Sequence, residues 1–136
     1  MQKPTSLFIG AILACLMIFV GNSALAGEAL SAAEVTKLFS GKSVEGINVN
    51  KGYSFETYFN PDGTIRAKYA VGDRQGKWRI DDKGRKCVKW EGSDKENCMA
   101  IVKTGGVYKE YKIKRNGGRK HVTTFKKFTD GNPYDL

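Results

Sequence analysis

The apolar positions of this chain change their period twice. Residues 7–20 form an unbroken apolar run, residues 30–39 place apolar side chains at helical spacing, and from Tyr53 onward they alternate in short stretches separated by Gly, Asn, Asp and Pro. The helical stretch opens with two start signals. Ser31 and Glu34 are spaced as a reciprocal capping box, and Leu30 and Val35 as the hydrophobic staple around it. Gly41 supplies the stop, with Lys37 and Lys42 near the negative end. Val35, Leu38 and Phe39 share one face, so this helix is expected to plug or flank a sheet.

The alternating stretches predict strands over 53–59 (Tyr53, Phe55 and Phe59 on one side) and 64–70 (Ile65, Ala67 and Tyr69 on one side), joined by the turn Asn60-Pro61-Asp62-Gly63. Residues 72–76 read as a break. Strands follow over 77–80 with Trp78 and Ile80 together, over 86–90 with Val88 and Trp90 together, and over 97–103. The last is apolar on both sides and therefore expected to be well covered. Two more stretches, 107–114 and 119–128, close the pattern around Asn116-Gly117-Gly118, and residues 129–136 read as irregular. A two-residue loop at Gly117-Gly118 puts Ile113 opposite Val122, whereas a three-residue loop swaps the faces of the last strand; the pattern leaves both open. The fold class that follows is all-β with one N-terminal helix, an antiparallel meander of about eight strands. A small barrel is preferred over a sandwich, because sequential hairpins close naturally and remove free edges.

The first apolar run has a different meaning. Lys3, the run of 14 residues and Ala24-Leu25-Ala26 stand in the order of a secretory signal peptide, cleaved before Gly27. The run is shorter than the ~20 residues a spanning helix needs. Cys15 lies inside it, with apolar residues still following, so it is not placed as a lipid-attachment cysteine. The chain is thus expected to divide into a signal peptide, 1–26, and a single small domain, 27–136, of periplasmic or secreted location. Cys87 and Cys98 remain as an even pair, which in an exported domain reads as one disulfide. Hairpin arithmetic agrees: a type II′ loop at Gly92-Ser93 pairs residues whose numbers sum to 185, as Cys87 and Cys98 do. Lys89 and Glu96 satisfy the same sum.

The segments Tyr58-Phe59-Asn60-Pro61-Asp62-Gly63, Gly76-Lys77-Trp78, Cys87 with Trp90, Cys98, and Gly106-Val107-Tyr108 occur in an order that resembles a family of short exported bacterial proteins, a domain of unknown function. The resemblance spans roughly residues 31–111 and implies an exported, disulfide-bearing β domain. It supplies no activity and no catalytic residue. A lysine-rich C-terminal hairpin departs from its pattern.

Catalysis finds little material. The one histidine, His121, stands between Lys120 and Val122; Asp62, Asp81 and Asp82 fall in turns that account for them; and no Gly pair precedes a helix as a phosphate loop requires. No metal site or cofactor is expected, and the reading is non-enzymatic. Charge is more informative. The chain has 23 Lys and Arg against 14 Asp and Glu, and loss of residues 1–26 would remove only Lys3. Within 105–128 stand Lys109, Lys112, Lys114, Arg115, Arg119, Lys120, Lys126 and Lys127 against Glu110 alone, interleaved with Tyr108, Tyr111, Phe125 and Phe128.

Such a hairpin suits an anionic envelope component such as lipid headgroups or lipopolysaccharide, an acidic protein, or nucleic acid. Its plainer reading is a solvated face whose lysines guard an edge. Trp78 and Trp90 are candidate ligand contacts or core aromatics, which makes a small-ligand-binding barrel the alternative. Inhibition of an exported enzyme is a third class, disfavoured for a basic target.

Overall fold

The computed structural model describes residues 27–136; the expected signal peptide, 1–26 with Cys15, lies outside the described residues. Helix α1 (Ala32–Phe39) is followed by β1 (Lys42–Asn48), β2 (Tyr53–Phe59), β3 (Thr64–Tyr69), β4 (Gly72–Ile80), β5 (Lys86–Trp90), β6 (Glu96–Thr104), β7 (Val107–Ile113) and β8 (Arg119–Asp130). Each strand pairs antiparallel with the next, and β8 returns to β1, closing an eight-stranded barrel. The meander barrel is therefore the architecture, and the Cys87–Cys98 disulfide staples two of its neighbours. No helix among the described residues is long and apolar enough to cross a membrane.

The helix starts where its cap dictates. The Ser31 amide donates to Glu34 Oε2 at 2.8 Å and the Glu34 amide donates to Ser31 Oγ at 3.3 Å. It closes one end of the barrel with Val35 and Phe39, both fully buried. The Phe39 ring meets Phe59, Phe125 and Phe128 edge-on at centroid distances of 4.9, 5.2 and 5.4 Å. Such edge-to-face contacts add to the area that the rings bury. The plugged end thus holds the dense part of the core, with Ile65, Trp78 and Ile101 alongside.

Three elements depart from the periodicity. β1 has no marked alternation, because Gly46 occupies an interior position where the Phe55 ring packs; a Cβ there would lie 2.7 Å from Phe55 Cζ. β4 begins at Gly72 rather than Lys77, its first four residues being exposed on both faces and so showing no apolar rhythm. β8 continues two residues past Phe128 to Asp130.

β6 is covered as expected, by an unexpected partner. β5 pairs only with residues 96–99 of β6, and beyond it the segment before α1 takes over. Ala29 bridges Val102, and the Leu30 amide donates to the Ile101 carbonyl at 2.8 Å. Ala100, Ile101 and Val102 are all buried in consequence.

The hairpin registers resolve the remaining expectations. Cys87 lies opposite Cys98 and Lys89 opposite Glu96. The turn itself is one residue earlier than a Gly92-Ser93 loop, since the Ser93 amide donates to the Trp90 carbonyl with Gly92 at φ +76°. Glu96 takes its ion pair from Arg79 on β4, at 2.5 and 3.0 Å, rather than from Lys89. In the last hairpin Ile113 faces Arg119, so the loop is five residues and the faces swap as a three-residue loop would require. A bulge at Val122 then shifts the register again, bringing Glu110 opposite Thr123 inside the barrel.

Candidate binding site at the open end of the barrel

The strand directions put α1 and the turns around Asp81, Gly105 and Gly131 at the plugged end. The turns around Asn50, Val71, Gly92 and Asn116 surround the opposite end, which no helix among the described residues plugs. A cavity of about 130 Å³ opens there. Its walls are aromatic: Tyr53 and Tyr69 meet edge-on at 5.4 Å, Phe55 lies 6.1 Å and Trp90 6.4 Å from Tyr69. Arg74 lines it too, with its guanidinium 4.8 Å from the centre of the Trp90 ring.

The floor is an ion pair. Lys86 Nζ lies 2.9 Å from Glu110 Oε1, and the two side chains are only 6 % and 8 % exposed. Three phenyl rings surround the ammonium, Phe39 at 4.9 Å, Phe59 at 5.0 Å and Phe125 at 5.3 Å. Lys86 shares the inward face of Val88 and Trp90, and Glu110 the inward face of Tyr108, so strand parity alone aims both into the barrel. Higher in the cavity, burial pushes the Tyr69 hydroxyl up to about 12, reinforced by nearby Tyr53 and Glu110 and opposed by Arg74. Tyr69 is therefore a neutral hydroxyl at ordinary pH.

The basic residues of the last hairpin separate into groups. Lys112, Lys114, Arg115, Arg119 and Lys120 cluster on its tip at the open end. Lys112 and Lys120 are directly opposite in the ladder, on the face continuous with Glu110 and hence with the barrel interior. Among the described residues no ion pair neutralises Lys112, Lys114, Arg115 or Lys120. Arg119 donates to the Gly27 carbonyl at 3.2 Å. Lys109 is half-buried on the outer wall, while Lys126 sits at a β8 bulge and Lys127 lies 3.8 Å from Glu45. These three stand away from the tip.

The two tryptophans also part company. Trp78 is core, edge-on to Phe59 at 5.4 Å, and its indole N–H donates to the Asn60 carbonyl at 2.8 Å. Trp90 is half-buried on the cavity wall. His121 stacks on Tyr111 at 5.2 Å, its Nε2 within hydrogen-bond reach of the Thr123 carbonyl and the Thr124 hydroxyl. Asp81 lies near both cysteine sulfurs, but those are held in the disulfide, and its carboxylate accepts from the Lys83 amide and from the Arg85 amide and Nε.

Periodicity missed three members of the site. Arg74 was hidden in a stretch that reads as a break, and the Lys86–Glu110 pair joins strands that are not neighbours in sequence. The available signal was parity: counting back from Trp90 and Val88 reaches Lys86. Comparisons with protein-family models, curated proteins and solved structures find no match to this chain.

Proposed function

We propose that this protein is a non-enzymatic, exported binding module that docks its open end on an anionic surface of the bacterial envelope. The observation behind this reading is the tip of the β7–β8 hairpin, where Lys112 and Lys120 face each other directly and neither has an ion-pair partner among the described residues. Like charges directly opposite in a ladder destabilise it. A surface that keeps such a pair gains from an anion that neutralises both.

The neighbouring tips fit the same use. Val49, Val71 and Ile113 are exposed apolar residues on three of the four turns at this end, Val71 being 99 % exposed. Cations beside apolar tips match phosphate headgroups lying above acyl chains. Glu91 and Asp94 against Lys95 leave the fourth turn with an acidic excess, so contact is expected on the side of the β1–β2, β3–β4 and β7–β8 turns.

Co-sedimentation of the described domain with anionic and with zwitterionic vesicles tests the reading. Retention on anionic vesicles is expected at low salt and lost near 1 M, where the screening length falls to about 3 Å. Lys112→Glu with Lys114→Glu should abolish it. Equal retention at both salt concentrations, or on both vesicle types, removes the proposal, and capture of an acidic protein without vesicle binding redirects it.

A further inference from the structure

We infer that the open-end cavity is a binding site for a small monocyclic aromatic carboxylate, with the ring between Tyr53, Tyr69 and Trp90 and the carboxylate on Arg74. This goes beyond the docking surface and stands on separate residues.

Size restricts the occupant first. The cavity measures about 130 Å³, close to the ~150 Å³ that accommodates one benzene molecule in an engineered apolar cavity. A fatty acyl chain or a polycyclic ligand needs several hundred Å³. Wall chemistry restricts it next. Tyr53, Phe55, Tyr69 and Trp90 present ring faces and edges at mutual centroid distances of 5.4 to 6.4 Å. Another ring entering that cluster gains the same edge-to-face contacts that hold the walls together.

Charge then orients the ligand. The Lys86–Glu110 pair at the floor closes its own charge, and a carboxylate driven down to it would meet the Glu110 carboxylate. At the lip, Arg74 is stacked on Trp90, and among the described residues its guanidinium has no ion-pair or hydrogen-bond partner. A guanidinium so held presents its fork to a carboxylate in bidentate fashion. The protonated Tyr69 hydroxyl is a further donor among the lining residues.

The test uses the two indoles as reporter and control. The described domain, labelled with 15N, is titrated with benzoate in 0.15 M salt while the Trp90 and Trp78 indole N–H signals are followed. Benzoate is expected to shift Trp90 saturably and to leave Trp78 in place, since that N–H is held by the Asn60 carbonyl. Acetate should leave Trp90 unmoved. Benzyl alcohol, and benzoate with Arg74→Gln, should each bind at least about tenfold more weakly, as loss of a charge-assisted pair implies.

Arg74 is exposed, so its replacement leaves the barrel folded. No Trp90 shift up to about 10 mM benzoate, a limit already weaker than millimolar binding, overturns the inference. So does equal affinity for benzyl alcohol or an unchanged affinity in Arg74→Gln. Vesicle retention is measured without benzoate, so either result can fail while the other stands.

Discussion

Replacing Lys86 by Met tests whether the barrel floor is a closed, desolvated ion pair. The substitution keeps an unbranched side chain among Phe39, Phe59 and Phe125 and places a thioether where aromatic contacts favour it. What it removes is the partner of Glu110, a carboxylate whose side chain is 8 % exposed. Breaking a buried pair from one side costs about 3–5 kcal/mol, because the remaining charge is stranded.

The cavity above Glu110, about 130 Å³, is large enough for water to reach the stranded carboxylate, which argues for the lower end, about 3 kcal/mol. With a urea m-value of roughly 1–1.5 kcal/mol/M, the unfolding midpoint should fall by roughly 2–3 M. The assay is urea denaturation followed by far-UV circular dichroism with the disulfide intact. Glu110→Leu alone should be similarly costly. The double variant Lys86→Met with Glu110→Leu should return to within about 1 kcal/mol of the parent, since an apolar replacement of the whole pair removes the desolvation penalty with the attraction. Single costs below about 1 kcal/mol that simply add in the double variant would show no coupling. The two groups would then be solvated independently, and the closed floor would be wrong.

Other outcomes follow from the same structure. Cys87→Ser with Cys98→Ser should lower stability by about 2–3 kcal/mol, the loop-closure cost across a sequence separation of 11, as read by thermal melts of oxidised parent and variant. Ser31→Ala removes the helix cap and should cost about 1 kcal/mol in the same melts. Gly76→Ala should destabilise by at least about 1–3 kcal/mol, because its Cβ would lie 2.3 Å from the Lys89 carbonyl oxygen, a backbone atom with nowhere to move.

Acid should weaken the fold through Asp81. Burial alone would raise its carboxyl, but hydrogen bonds from the Arg85 amide, Arg85 Nε and the Lys83 amide, with the Arg85 charge, outweigh this and hold it below the usual range. A carboxyl depressed in the folded state contributes its stability above the unfolded value of about 4 and loses it as pH falls through the folded one. The melting temperature of the parent should therefore drop below about pH 4 more steeply than that of Asp81→Asn.

What the chain discloses in advance is what neighbours decide. The Cys87–Cys98 pair and the Ser31–Glu34 cap follow from spacing, because a hairpin register and a helix start are each set within a few residues. The barrel follows from the uniform sequence of hairpins. The hidden features are those that closure creates. Lys86 and Glu110 are separated by β6 in the wall, and only the interior brings their side chains together. Ala29 reaches Val102 because β5 is too short to cover β6, a fact about two strand lengths rather than one pattern. Trp78 and Trp90 look alike as strand aromatics, yet one sits over the plugged end and the other at the open end. The lysine-rich hairpin was legible as charge, but its division into an open-end tip and an outer wall needed the register of β8.

The open end as the docking face is the central claim, and amide signals recorded against anionic lipid nanodiscs test it most directly. Selective broadening is expected at residues 49–52, 70–74 and 112–120, with the signals of α1 and of the turns at 81–85 and 105–106 unaffected. Broadening centred on the plugged end, or none at any residue under low salt, would contradict it.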